Sequence, residues 1–301
     1  MPSFHLSVEQ RHLAWDNALP PAVVISRGDE LVLELADASG GQIGRGDDAA
    51  AIGRLDFSAI NPCTGPVAVD GVAAGDDLVV TILDVAVGAW AWTANIPGFG
   101  LLSDDFPEPH LWISTVSGGR VATPVGISLP ARPMIGTIGV APAPRGPAPL
   151  LVPTSAGGNM DVPQMGAGTV LHLPVQVPGA LFSAGDAHGV QGDGEVCGTG
   201  AETSSQLHVR IDAGPGTSST PWYVHAVRHD EREWVATTGI GPDLFQAARE
   251  ATRRAVELLA KRAELDPIDA YLLLSLTGEL RVSEIVDAPN WVMSMHFPAA
   301  F

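Results

Sequence analysis

The sequence predicts a mainly β protein, built of jelly-roll or sandwich-like β subdomains with a C-terminal helical hairpin. Three observations predict it. Across 301 residues, 34 glycines and 25 prolines are spread along the chain, punctuation that suits many short strands joined by turns. The apolar runs between them are short, and over residues 30–35 they alternate with charged residues at the period of a half-buried strand. Helical periodicity is confined to the C-terminal part.

Residues 22–26, 30–35, 77–83 and 169–177 read as strands. Gly28-Asp-Glu-Leu-Val-Leu33 recurs as Gly75-Asp-Asp-Leu-Val-Val80. This is a Gly-Asp turn opening a strand, or else the mark of two similar β units. Residues 142–153, with Arg145-Gly-Pro147 inside, read as a loop or linker. They place a boundary between two β subdomains, 1–145 and 150–301, packed together as one unit over 1–301. Pro242 fits a first helical position with Asp243 in the first turn. Leu244, Ala248, Ala251, Ala255, Leu258 and Leu259 then form an apolar stripe to about residue 263. A second helix is expected from Asp266 as N-cap, through Pro267, to about residue 276. Gly278 would end it, with a strand near 279–286 to follow.

Composition excludes several functions. Acidic side chains outnumber basic ones 34 to 16, a net charge of −18, which disfavours any nucleic-acid partner. With charged residues at 17% and a positive mean hydropathy the chain is not disordered. The single lysine, Lys261, lies in the amphipathic helix, where its polar face is solvated. P-loop, Schiff-base and lysine-activated hydrolase chemistry therefore lack their residue. Two cysteines, Cys63 and Cys197, are too few for a disulfide framework or a Cys-rich zinc site. The N-terminus lacks the apolar core of a signal peptide, and no apolar window reaches the ~18 residues of a membrane span. A cytoplasmic protein without a membrane partner is expected.

The densest polar segment holds Asp186, His188, Gln191, Asp193, Glu195 and Glu202, interleaved with glycines. Those glycines permit tight positive-φ turns that crowd the carboxylates together, and crowded carboxylates repel unless a cation neutralises them. Asp186 and His188 are two apart, on one face of an extended segment, and suit a divalent ion of N/O preference. The imidazole favours zinc or manganese over a calcium loop, and the EF-hand spacing does not fit. Asn159 and Asp161, behind Gly157-Gly158, repeat the spacing and offer a carbonyl oxygen and a second carboxylate to the same ion. His12, His110, His172, His208, His225 and His296 sit in or beside apolar runs and read as core or surface residues. His208 ranks first among them, because it shares a strand with the end of the acidic segment. Trp90 and Trp92 alternate as strand packing, and residues 95–101 read as a turn in preference to a loop over a pocket.

The segment Gly185-Asp-Ala-His-Gly-Val-Gln-Gly-Asp-Gly-Glu-Val-Cys-Gly-Thr199 resembles the hallmark of the acetamidase/formamidase family. Supporting segments follow the same order: His12-Leu-Ala-Trp15, Ala38-Ser-Gly-Gly-Gln42, Asn61-Pro-Cys-Thr-Gly-Pro66, Pro133-Met-Ile-Gly-Thr-Ile-Gly-Val-Ala-Pro142, Gly157-Gly-Asn-Met-Asp161 and Asn290-Trp-Val-Met-Ser-Met-His296. The resemblance spans almost the whole chain, with Gly200 where the pattern expects alanine. It implies a mostly β fold and metal-assisted hydrolysis of short amides, formamide or acetamide, to carboxylate and ammonia.

The expected site is a zinc-type ion, with calcium as an alternative at a neighbouring position, held by Asn159, Asp161, Asp186 and His188. That ion would lower the pKa of a water and polarise the amide carbonyl. Glu195 is the expected general base, Glu202 the second choice as ligand or base, and Gln191 or glycine N–H groups the oxyanion donors. Rival readings are a Cys197 nucleophile, a hydrolase of lactams or imides using the same site, and a non-catalytic metal-stabilised β-sandwich that binds sugar or protein. The expected partners are a small amide and a second copy of the chain, as a homo-oligomer with the dimer favoured.

Overall fold

The computed structural model describes residues 3–226 and 233–301. Among them the strands form two sheets. The nine-stranded sheet runs, edge to edge, Ser3–Leu6, Asp29–Leu35, Ser205–Pro215, Asp76–Val87, Val170–Pro174, Trp222–Ala226, Glu233–Gly241, Trp291–Pro298 and Glu279–Glu284. The eleven-stranded sheet runs Ser128–Pro130, Arg120–Ala122, His110–Ser117, Trp90–Asn95, Glu202–Thr203, Phe182–His188, Met134–Gly139 and Gly157–Asn159. Of its three remaining strands, Cys63–Val69 pairs with Phe182–His188 and carries the other two, Arg11–His12 and Val23–Ile25.

The two sheets share one core. Leu31, Leu33 and Leu35 alternate with the partly exposed Glu30, Val32 and Glu34 along Asp29–Leu35, and Leu207, Val209 and Ile211 alternate with the more exposed Gln206, His208, Arg210 and Asp212 on the strand beside it. They meet Val67, Ile135, Ile138 and Phe182 of the other sheet, each side chain contributing about 1.5–3 kcal/mol by leaving water. This is the expected sandwich.

The repeated Gly-Asp motif is a repeated turn. Asp29 accepts from the Ser26 N–H and Asp76 from the Ala73 N–H, with Gly28 and Gly75 both at positive φ. The two strands that follow flank the same partner, Ser205–Pro215, within one sheet. Each sheet takes strands from both sides of residues 145–150, so the expected boundary does not fall between sheets. The loop over 142–153 pairs with the N-terminal segment that carries Trp15. Trp15 and Ala148 exchange backbone hydrogen bonds of 2.9 and 2.8 Å, and Leu150 is buried beside Trp15.

The helical hairpin is α1, Leu244–Ala263, and α2, Pro267–Thr277. Asp243 is the N-cap of α1, its side chain accepting from the Gln246 N–H, so Pro242 stands one residue outside the helix instead of at its first position. Ala247, Ala251, Ala255 and Leu259 are the buried stripe; Leu244, Ala248 and Leu258 flank it, half-buried. Asp266 and Gly278 bound α2 as expected, and the strand after it stops at Glu284. Lys261 is exposed on α1. No helix among the described residues is long and apolar enough to cross a membrane.

Small residues bring α1 close to the sheet. A Cβ at Gly239 would overlap the Ala247 carbonyl oxygen and stand 2.7 Å from the Ala251 amide nitrogen. Gly239→Ala therefore pushes the helix off the sheet, and calorimetry is expected to show a destabilisation of about 2–3 kcal/mol, the usual cost of overpacking.

Candidate active site

One strand pairing organises the site. Met134–Gly139 runs antiparallel to both Phe182–His188 and Gly157–Asn159. Its register passes from Ile135 opposite Ala187 to Thr137 opposite Gly185, which puts Gly136 across from Asp186. Asp186 has φ 58 and Asp161 has φ 43, turns that aim both carboxylates at the Gly136 Cα. A Cβ there would overlap Asp161 Oδ1 and lie 2.5 Å from Asp186 Oδ2. The missing side chain is thus the space the two acids occupy. Seven described non-glycine residues have positive φ, and Asn61 and Glu195 join these two among them. Strain concentrated in one spot is characteristic of functional sites.

His188 stands at the centre, fully buried. Its Nδ1 lies 2.6 Å from Gln191 Oε1, so Nδ1 carries the proton. Its Nε2 faces Glu202 Oε2 at 3.0 Å, Asp186 Oδ1 at 3.2 Å and Asp161 Oδ1 at 4.0 Å. Burial by itself would lower its pKa, but Glu202 and Asp186 beside it raise the pKa well above the ordinary histidine value. Glu202 also accepts from the Gly200 N–H at 2.7 Å. A Cβ at Gly200 would stand 2.6 Å from His188 Nδ1, so the departure from the family pattern at this position touches the imidazole directly.

Around this centre the carboxyls resist ionisation. Burial pushes Asp161 well above the usual carboxylate range, and the charges of Glu195, Asp186 and Asp287 add to it. Glu195 is raised well above its ordinary value, by burial first and with His188 opposing. Burial raises Glu202 to about 7. Asp287 follows, raised by burial and by Glu284, which burial itself lifts to about 7. Three overlapping groups place one ligand atom per residue within 4.8 Å of the others: Asp161, Asp186 and His188; His188, Glu195 and Glu202; Asp161, Glu195 and Asp287.

A cavity of about 130 Å³ opens above this floor, lined by Asp186, Glu195, Glu202, Asp287 and Asn159 below and by apolar side chains above. Trp92 is fixed there by its indole N–H, which donates to Asp37 Oδ1 at 3.0 Å. Ile96 and Phe99 also line it, from the turn closed by the Phe99 N–H on the Ile96 carbonyl at 3.0 Å. Residues 95–101 are thus both the turn expected and the loop over a pocket set aside in its favour.

The expected site residues come together with changed parts. Asp161, Asp186, His188, Glu195 and Glu202 converge. Gln191 has both ends of its amide engaged, its Nε2 donating to the Asp161 carbonyl at 2.7 Å, and it does not line the cavity above the acids. Its side chain contacts His188 Nδ1 and the Asp161 backbone. Asn159 likewise accepts from Asn61 at 3.0 Å and from the Thr137 hydroxyl, and donates to Asp287 Oδ2 at 2.5 Å. Its amide is thus engaged with Asn61, Thr137 and Asp287. Asp193 lies outside, exposed near Arg281 at 3.7 Å. His208 pairs with Glu30 at 3.1 Å instead of joining the cluster. The Cys197 thiol faces the carbonyl and hydroxyl of Thr199, and among the described residues no imidazole lies at hydrogen-bonding distance to activate it. Asp287, Glu284 and Asn61 were missed. The signal available was two carboxyls, Glu284 and Asp287, bracketing an apolar pair in a run that otherwise reads as core.

Both Asp161 oxygens are buried without a hydrogen-bond partner, as is Glu284 Oε2. Such orphaned carboxyl oxygens, an imidazole with its Nε2 turned toward those of Asp161 and a cradle emptied by Gly136 fit a divalent cation, whose binding would displace the protons.

A two-sheet β scaffold that buries an acid–imidazole cluster beneath a small cavity defines a β-sandwich protein with a site able to hold a cation. A sequence profile described as the acetamidase/formamidase family matches residues 3–149 and 148–301, and the chain belongs to that family of amide-bond hydrolases. It is 26% identical to a formamidase of Methylophilus methylotrophus, over 96% of this chain and 88% of that protein. It is also 26% identical to an acetamidase of Mycolicibacterium smegmatis, over 95% and 89%. The crystal structure of an acetamidase from Bacillus halodurans superposes with a TM-score of 0.90 at 31% identity, covering 98% of this chain and 97% of that one. A γ-lactamase from Delftia acidovorans superposes at 0.70 with 25% identity, over 96% and 88%.

Proposed function

We propose that this chain hydrolyses small primary amides to carboxylate and ammonia, with a divalent cation held by Asp161, Asp186 and His188 and completed by Glu202. The observation that carries the reading is the pair of partnerless Asp161 oxygens beside His188 Nε2, next to Asp186, Glu195 and Glu202, which line the cavity floor. Bound there, zinc, our choice from the presence of an imidazole, polarises a carbonyl and lowers the pKa of a water; calcium is the alternative for the carboxylate-only group of Asp161, Glu195 and Asp287.

Glu195 is the general base. It lines the cavity, and burial makes its carboxylate more basic than an exposed one, so that once a bound cation has displaced its own proton it can take a proton from water and pass it to the departing nitrogen. Gln191 holds the His188 tautomer, and Asn159 holds Asp287. The similarity to a lactamase supports cyclic amides as a second substrate set for the same residues. A dimer and a cytoplasmic setting belong to the same proposal, the latter in keeping with two free cysteines; sedimentation velocity decides the former.

Ammonia release from formamide and acetamide is the test. Exhaustive chelation is expected to lower turnover by roughly 100-fold or more, and zinc to restore it. Turnover indifferent to chelation, with no metal in the protein by mass spectrometry, would sink the metal-assisted reading.

A further inference from the structure

The wall of the cavity above the acids carries information about the acyl group. Leu55, Phe57, Ile60, Trp92, Ile96 and Phe99 line it, and among the described residues no lysine, arginine or histidine does. At about 130 Å³ it approaches the ~150 Å³ of a Leu/Ile/Phe-lined cavity that accepts benzene. The formyl hydrogen of formamide, or the methyl of acetamide, would leave most of that space without contacts. The wall is also rigid. Trp92 is tied to Asp37, and Phe99 is seated on Gly198, where a Cβ would stand 2.5 Å from Phe99 Cε1. A preformed apolar wall rewards an occupant that fills it, because little ordering remains to be done on binding.

We propose that the site takes primary amides with an uncharged, branched or aromatic acyl group of about four to seven carbons, in preference to formamide and acetamide. This rests on the amide hydrolysis proposed above. The carboxamide sits over the acidic floor and the hydrocarbon against the six apolar side chains. Each methylene buried there raises kcat/KM roughly fourfold. An acyl group bearing a carboxylate is rejected, since it would lose its hydration against carbon and find four carboxyls and, among the described residues, no cationic side chain.

The test measures kcat/KM for ammonia release by the zinc-loaded protein from formamide, acetamide, isobutyramide, benzamide and succinamate. Isobutyramide and benzamide are expected to exceed acetamide by about 10–100-fold, and succinamate to fall below it. Phe57 is 54% exposed at the rim, so its replacement spares the core. Phe57→Asp is expected to cut the benzamide-to-formamide ratio by about tenfold. Highest efficiency on formamide or acetamide, or an unchanged ratio in Phe57→Asp, overturns this inference while amide hydrolysis stands. Release from none of the five amides overturns the amide reading, and the acyl preference with it.

Discussion

Asp161→Asn is expected to lower kcat/KM for amide hydrolysis by more than about 100-fold and to remove the bound metal, whereas Gln191→Ala and Asn159→Ala cost about 10–100-fold, as outer partners of a metal site do. The ranking follows from the geometry. Asp161 presents two buried oxygens with no partner, whereas Gln191 and Asn159 spend their amides on His188 and Asp287. Gly136→Ala should match Asp161→Asn although it changes no charge, because its methyl would fill the space of the Asp161 and Asp186 carboxylates. Metal content by mass spectrometry and steady-state kinetics check all four variants. Equal losses in Gln191→Ala and Asp161→Asn would show that the division between ligand and orienting residue is wrong.

The second large effect is on stability. Glu202 and Glu284, each raised by burial to about 7, hold protons in the folded chain that the unfolded chain has already released. Their contribution is therefore present at low pH and is lost as pH rises from about 4.5 through 7, at about 3 kcal/mol for each. Asp161, Glu195 and Asp287 act in the same direction. His188 does too, for its raised pKa gives stability below 6.5 that disappears as pH climbs through the folded value. His172 and His225 oppose them. Burial lowers each to about 4, so their stability is present above 6.5 and is lost as pH falls toward 4. Between pH 6.5 and 8 the acidic cluster acts nearly unopposed, and the metal-free protein should lose Tm with rising pH. A divalent ion removes this loss by taking the place of the protons, and metal affinity should increase with pH. At a thousandfold excess over Kd the ion adds about 4 kcal/mol, a rise in Tm of several degrees. Calorimetry at pH 6.5, 7.25 and 8, with chelator and with zinc, checks it. Parallel profiles in the two conditions would argue against a cation in the cluster.

Much of the fold was legible because local patterns set it. Alternation along residues 30–35 buries Leu31, Leu33 and Leu35, and Asp266, Pro267 and Gly278 bound α2 where their backbone preferences require. Asp243 shows the limit of such reading. An acid suits both the first turn and the cap, and only the hydrogen bond to the Gln246 N–H decided between them. Residues 142–153 show another, since Pro and Gly mark a loop equally well whether it joins domains or is pinned, as here, to Trp15.

For the site, the sequence by itself determined that one glycine-rich stretch crowds Asp186, His188, Glu195 and Glu202, since short-range turns bring near neighbours together. It also determined that Asp161 belongs with them, through the resemblance of its segment to the family pattern. Tertiary structure alone decided who completes the floor and what covers it. Asp287 arrives because Glu279–Glu284 lies on the sheet edge with Glu284 bridged to Gly194, and Asn61 because Cys63–Val69 pairs with Phe182–His188. It also decided that Gln191 and Asn159 turn their amides toward neighbouring side chains, and that Phe57, Trp92 and Phe99 close over the acids. Sequence periodicity reports which face of an element is apolar, but the partner of that face is chosen by sheet register between residues far apart in the chain.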